Sequence, residues 1–304
     1  MQHAESRSGF AVLAGPPNSG KSTLLNALLG QKIAIVSPKP QTTRNQITGI
    51  LTDADGQIVF LDTPGLHEKR GLMNRMLMHS AQQALQIASV VVLVLDASRY
   101  AKRPEAFHQA LTRLHESLAG APALVALNKV DVVADKPSLL PLLEISATVW
   151  PEAELFPISA LTGQGLPELL AAVRRRLPVG PPLFPEDQVS TVTVRFMAAE
   201  IIREKLFLNL RQELPYSVGV DIERWEEDPA TGHVTIGAVI YVTRAAHKPI
   251  VIGKRGELLK TVGTLARVEL AELLEQKVHL ELWVKVREEW TEDPNILQEL
   301  GLGT

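Results

Sequence analysis

Gly15-Pro16-Pro17-Asn18-Ser19-Gly20-Lys21-Ser22, followed by Thr23, is a full match to the pattern G-x-x-x-x-G-K-[ST]. Its flanks place it between a strand and a helix. Before it, Phe10-Ala-Val-Leu-Ala14 is an apolar run of buried-strand type. After it, Leu24, Leu25, Leu28 and Leu29 share one helical face and Gly30 supplies the stop. Gly15 and Gly20 let the main chain turn tightly, so that successive N–H groups face inward around phosphate oxygens. The positive end of the helix starting near Lys21 adds to the attraction. Lys21 reaches the β- and γ-phosphates as a point charge, and Ser22 offers its hydroxyl to Mg2+. The plainer reading is a Gly-Pro turn capped by Ser22; the strand before it and the helix after it argue against that.

Outward from this loop, apolar runs at 58–61, 90–95, 123–127 and 155–158 predict buried strands. Amphipathic stretches at 72–88, 104–118, 137–148 and 165–176 predict helices between them. The alternation predicts an α/β domain on a mainly parallel sheet, with helices on both faces and ligand loops at the strands' carboxyl ends. Residues 177–187 hold four prolines in eleven positions, so neither helix nor strand continues through them. The expected organisation is a first domain over 1–177, a semi-rigid linker at 178–187 and a second domain over 188–304. In the second domain the pattern predicts a helix at 195–213, strands at 217–225 and 233–243, helices at 246–252 and 257–275, and a strand at 278–287. That order is αββααβ, an α+β arrangement.

Composition narrows the classes. The 304 residues contain no cysteine, which excludes a disulfide framework, thiolate metal sites and thiol catalysis. No apolar run approaches the about 18 residues needed to span a membrane. Residues 1–9 are polar and carry no signal-peptide pattern. The expectation is a cytoplasmic protein. Residues 1–185 hold 17 basic against 14 acidic side chains, and residues 186–304 hold 14 against 20. Neither half binds nucleic acid on bulk charge, so such binding must rest on a local patch.

Three further motifs follow at strand ends. Asp62-Thr63-Pro64-Gly65 ends the run 58–61; its carboxylate can hold Mg2+ through water, and the Gly65 N–H can meet a γ-phosphate. Asn128-Lys129-Val-Asp131 ends the run 123–127. Asp131 can accept both N1–H and N2–H of guanine, a paired contact that adenine does not offer. The Lys129 stem can lie across the base, and Asn128 can tie the loops together. Ser159-Ala160-Leu161 ends the next run, where the Ala160 N–H can donate to guanine O6. Four motifs in this order, each at a carboxyl end, point to GTP and GDP rather than adenine nucleotides.

The second domain is acidic, yet residues 244–267 carry six basic side chains against Glu257 alone. At their centre lies Val251-Ile252-Gly253-Lys254-Arg255-Gly256. G-x-x-G alone usually marks a turn; within the αββααβ order and with two cations between the glycines, it is read as the loop with which KH modules clamp about four nucleotides of single-stranded nucleic acid. The glycines let the main chain approach phosphates, which Lys254, Arg255 and Lys260 contact, while Ile250, Val251 and Ile252 form an apolar floor under the bases. Trp283 either stacks a base or packs against its neighbours.

These stretches, with KPQTTR, FPED, RFMAAEIIREKL, ELPYSV, VIGKRG and HLELWVKV, resemble the Era family of bacterial GTPases, which carry a C-terminal KH domain, across nearly the whole chain. The resemblance implies a Ras-like P-loop GTPase domain followed by a type II KH domain. It implies slow GTP hydrolysis coupled to binding single-stranded 16S rRNA near its 3′ end and to assembly of the 30S subunit, by a monomer. It also implies peripheral contact with the inner face of the cell membrane, for which no amphipathic basic helix speaks. Residues 37–45 are then the first switch. Thr43, immediately before Arg44 as in related GTPases, completes the Mg2+ shell together with Ser22 and Asp62. Leu66 stands where Ras-type enzymes carry the glutamine that orients the attacking water. Leucine makes no hydrogen bond to water, so catalysis falls to Asn18, Lys21, Thr43 and Gly65. Asn18 is the expected ligand of an activating K+, as in related GTPases with Asn at this position; otherwise it bonds its own loop. His67 could be proposed as a base, but a loop histidine of this kind is read as solvated. Two other functions compete: a GTPase of tRNA modification, which would need a catalytic cysteine or partner helix that this chain lacks, and a passive nucleotide-bound RNA chaperone.

Overall fold

The apolar runs become the strands of a central sheet in the computed structural model, which describes residues 6–65, 71–118 and 123–302. In chain order they are β1 (Arg7–Ala14), β2 (Ile47–Asp53), β3 (Gly56–Asp62), β4 (Val90–Asp96), β5 (Ala123–Asn128) and β6 (Glu154–Pro157). They lie side by side as β2-β3-β1-β4-β5-β6. Only β2 and β3 are antiparallel. The helices joining them are α1 (Lys21–Leu29), α2 (Leu72–Ile87), α3 (Ala97–Tyr100), α4 (Pro104–Leu118), α5 (Leu140–Val149) and α6 (Leu166–Arg176). Strands β3 and β4 are buried along almost their whole length, as expected of a sheet covered on both faces. The helix expected at 137–148 begins at Leu140. Pro141 lacks an N–H and fits only the first turn, so a 3₁₀ turn at Lys136–Leu139 precedes it. Strand β2 was not expected.

By contact the chain forms two compact units. One comprises Met1–Ala34, Thr43–Glu68 and Met78–Thr191; the other comprises Ile35–Thr42, Lys69–Leu77 and Val192–Thr304. In the first unit the proline-rich stretch is tied down. Gln57, fully buried, accepts the N–H groups of Leu183 and Phe184 at 2.7 and 2.8 Å and donates to Phe184 O at 2.9 Å. Further along, the Ile50 N–H donates to Val189 O and Ser190 Oγ to Thr48 O. The segment thereby covers an otherwise open sheet edge.

The second unit has the expected αββααβ order: α7 (Val194–Asn209), β7 (Val218–Glu227), β8 (Val234–Val242), α8 (His247–Ile252), α9 (Glu257–Leu274) and β9 (Val278–Val286), with α10 (Pro294–Glu299) added. Strand β8 is central, antiparallel to β7 and parallel to β9. Helix α7 ends four residues short of the expected 213, because Leu210 turns extended and buries its side chain. On α7, Arg203 and Glu204 are both buried. Arg203 bonds Glu200 and Thr42 O, and Glu204 accepts the Val36 N–H at 2.8 Å. No helix among the described residues is long and apolar enough to cross a membrane.

Candidate functional site

The loop Gly15–Gly20 joins β1 to α1 and is built on left-handed backbone at Asn18 (φ 63°) and Gly20 (φ 96°). Only glycine fits position 20, since a Cβ there would lie 2.3 Å from Asn128 Nδ2. Gly20 is also the N-cap of α1 and offers no side chain, so the first-turn N–H groups remain for an anion. Lys21 is buried, and its ammonium donates to Gly15 O and Pro16 O at 3.1 and 3.0 Å. Burial lowers its pKa to about 8 against the opposing pull of Asp62. Ser19 is buried, while Asn18 is exposed and Pro16, Pro17 and Thr23 are half-buried around the loop.

Three oxygen-bearing side chains meet beneath this loop. Ser22 Oγ donates to Asp62 Oδ2 at 2.5 Å and lies 2.7 Å from Thr43 Oγ1, which stands 3.5 Å from the same carboxylate. Asp62 is fully buried, and burial lifts its pKa to about 6 despite Lys21 and the two hydroxyls. Its Oδ1 has no hydrogen-bond partner among the described residues. A buried carboxylate with a spare oxygen, beside two hydroxyls, is the hard-oxygen donor set that suits Mg2+. Thr63, also buried, donates to Leu13 O, and Pro64 and Gly65 follow at the end of β3. Leu66 and His67 lie outside the described residues.

The residues expected to read the base gather at the end of β5. Asn128 Nδ2 donates to Ser19 O at 2.9 Å, and its Oδ1 accepts the N–H groups of Lys129 and Ala160 at 2.8 and 2.9 Å. Asn128 thus holds the phosphate loop, its own loop and the Ser159–Leu161 loop together. The Ala160 N–H expected to meet guanine O6 is therefore engaged by Asn128, because the buried amide needs an acceptor. Asp131 Oδ1 is buried with no partner among the described residues, an open acceptor for base N–H donors. Ser159 is fully buried, whereas the Leu161 side chain is 78% exposed.

In the second unit, Gly253-Lys254-Arg255-Gly256 links α8 to α9, with positive φ at Gly253, Arg255 and Gly256. A Cβ on Gly253 would lie 2.8 Å from the Leu258 N atom. Lys254, Arg255 and Lys260 are exposed. A groove of about 340 Å³ beside the loop is lined by Gly256, Leu259, Lys260, Gly263, Thr264, Arg267, Leu280 and Leu282. The expected apolar floor changes accordingly. Val251 is fully buried in the core, while Ile250 is half-exposed and Ile252 half-buried. Leu280 and Leu282 of β9 line the groove instead. Trp283 is 47% exposed, and its ring lies over Gly237.

Comparison with known proteins supports both domains. Residues 10–129 match the family described as 50S ribosome-binding GTPase, and residues 213–291 match the KH domain family. The chain is 56% identical to GTPase Era of Nitratidesulfovibrio vulgaris (strain DSM 19637 / Miyazaki F), covering 99% of both chains. It is 54% identical to GTPase Era of Desulfovibrio desulfuricans, covering 97% of both. The chain belongs to the Era family of GTPases. Among solved Era structures, a point variant of Aquifex aeolicus Era bound to GDP·AlF4− superposes with a TM-score of 0.89 at 38% identity, over 98% of this chain and all of that one. Era in complex with MgGDPNP and nucleotides 1506–1542 of 16S ribosomal RNA gives 0.90 at 38% identity, with the same coverage. The fold is therefore the Ras-like GTPase domain followed by a KH domain that the Era family carries.

Several residues of these sites escaped sequence reasoning. Asp96 ends β4 as Asp62 ends β3 and Asn128 ends β5, and its position after an apolar run was the available signal. Leu259, Gly263 and Thr264 lie on α9 at helical spacing beside Arg267 of the basic stretch, where the pattern reads as one more amphipathic helix face.

Proposed function

We propose that this Era-family chain is a GTP-operated switch that binds single-stranded 16S rRNA near its 3′ end and serves 30S assembly in the cytoplasm. The observation that carries the reading is the meeting of Ser22, Thr43 and a buried Asp62 beneath the Lys21 loop, in a chain that also bears an exposed Lys254-Arg255 loop. Ser22, Thr43 and Asp62 would hold Mg2+, which would neutralise charge on the β- and γ-phosphates. Lys21 adds a point charge on those phosphates, and the Gly65 N–H donates to the γ-phosphate. Asp131 accepts from guanine while Asn128 keeps the loops in register.

With Leu66 in place of a water-orienting glutamine, intrinsic hydrolysis is slow and rests on positioning and cations. Asn18, exposed on the phosphate loop, would hold an activating K+; equal turnover in K+ and Na+ would sink that assignment. The linker at 178–187 and the domains on either side of it, 1–177 and 188–304, are the parts of the switch. Support for the RNA target is the solved Era relative bound to nucleotides 1506–1542 of 16S ribosomal RNA. The test is crosslinking of wild type and Lys254→Glu/Arg255→Glu to cellular RNA with GTP or GDP bound. Crosslinks concentrated at the 16S 3′ end, lost in the variant and changed by nucleotide, are expected. Crosslinks that are scattered and indifferent to both contradict the reading.

A further inference from the structure

Lys129 is the residue whose stem the guanine site needs across the base, and its geometry is unusual for a surface lysine. Its backbone is left-handed (φ 66°), and its ammonium is not directed into open solvent. It donates to Asp96 Oδ2 at 2.7 Å and to Asn18 O at 2.6 Å. Asp96 is the last residue of β4 and pairs in register with Asn128 across the parallel β4–β5 ladder, one residue before Lys129. Its side chain is only 18% exposed. The other oxygen is also engaged: Asp96 Oδ1 accepts Ser98 Oγ at 2.6 Å and the Arg99 N–H at 3.2 Å, capping α3. The carboxylate is thus fixed from one side by a helix N-terminus and presents its second oxygen to Lys129.

We infer that Asp96 is a positioning residue for guanine-nucleotide binding, acting through Lys129. A flexible four-carbon stem makes a poor wall for a planar base, because holding one rotamer costs side-chain entropy on every binding event. The charge-assisted bond to Asp96 meets that cost before the nucleotide arrives. The second bond, from the ammonium to Asn18 O, ties the left-handed residue of the phosphate loop to the base-reading loop. Base and phosphate contacts are thereby set by one ammonium. The inference rests on the reading of this site as a guanine-nucleotide site.

Asp96→Asn separates this role from capping, because asparagine caps a helix as well as aspartate but carries no charge for Lys129. The readouts are release of N-methylanthraniloyl-GDP from the full chain and the steady-state constants for GTP. Release about ten-fold faster is expected, with KM raised to a similar degree and kcat changed less than two-fold. Ser98→Ala, which removes a cap bond alone, leaves release at the wild-type rate. Asp96→Glu keeps the charge and recovers part of the loss. In a Lys129→Met background Asp96→Asn adds less than two-fold, because the two residues act as one unit. Release within two-fold of wild type in Asp96→Asn, or losses that multiply in the double variant, overturns the inference. Failure of the wild type to retain guanine nucleotide overturns the site reading itself.

Discussion

The loops at Gly15–Ser22 and Gly253–Gly256 are both glycine-framed, basic and followed by a helix, yet they are built in opposite ways. Around the first, Lys21, Ser19, Asp62 and Asn128 are all buried; Lys21 and Asn128 donate to main-chain carbonyls, and Asp62 accepts the Ser22 hydroxyl. Around the second, Lys254, Arg255 and Lys260 stand exposed, with Lys260 on the neighbouring groove. A buried site is preorganised and selects a small ligand by its few open groups; buried oxygens without a partner among the described residues here include Asp62 Oδ1 and Asp131 Oδ1. An exposed loop attracts a polyanion by charge and stays sensitive to salt.

The largest effect expected from this contrast is at Lys21. Lys21→Ala lowers GTP turnover by at least about 10²-fold, measured as single-turnover phosphate release, because a charge-assisted contact in a buried site has no substitute. Arg203→Ala follows, since it leaves Glu200 and the Thr42 carbonyl without their buried partner. A loss of about 3–5 kcal/mol in denaturant unfolding is expected. Lys254→Glu/Arg255→Glu is the counterpart in the exposed loop. It weakens RNA binding by about ten-fold or more and flattens the salt dependence, while the melting temperature and RNA-free GTP turnover stay at wild-type values.

Gln57→Ala tests the tied-down proline segment. Losing its hydrogen bonds to residues 183 and 184 costs about 1–3 kcal/mol in the same unfolding measurement. The smallest effect is at Asp53, whose pKa the Arg174 guanidinium lowers from a half-exposed position. A depressed carboxylate stabilises the fold above the ordinary aspartate pKa of about 3.9, and that contribution disappears as the pH falls through the folded value. Because water screens this pair, Asp53→Asn removes only a fraction of a kcal/mol at pH 7 and flattens the acid limb of the stability curve.

What the sequence disclosed follows the same division. The parallel strands, the αββααβ order and the four nucleotide motifs were legible because each depends on local pattern: an apolar run, then a polar residue at its end. Strand β2 was hidden by Gly49, which reads as a breaker. Its absent Cβ makes room for Leu25, Leu29 and Ile33, which would lie 2.5–2.9 Å from it. Val251 was assigned to the RNA floor from its place beside the loop, but helix α8 turns it into the core and leaves the groove to Leu280 and Leu282. The pairing of Asp96 with Lys129, and of Arg203 with Thr42, joins residues 33 and 161 positions apart. No local pattern encodes such pairs.

The proposed switch joins the two loops, and reciprocity makes that link measurable from the nucleotide side alone. The decisive quantity is the ratio of GDP to GTP-analogue dissociation constants, with and without saturating RNA spanning nucleotides 1506–1542 of 16S rRNA. A switch requires RNA to change that ratio by about five-fold or more in wild type and to leave it unchanged in Lys254→Glu/Arg255→Glu. A wild-type ratio that RNA leaves untouched, under conditions where the RNA is bound, would show two independent sites on one chain and contradict the proposal.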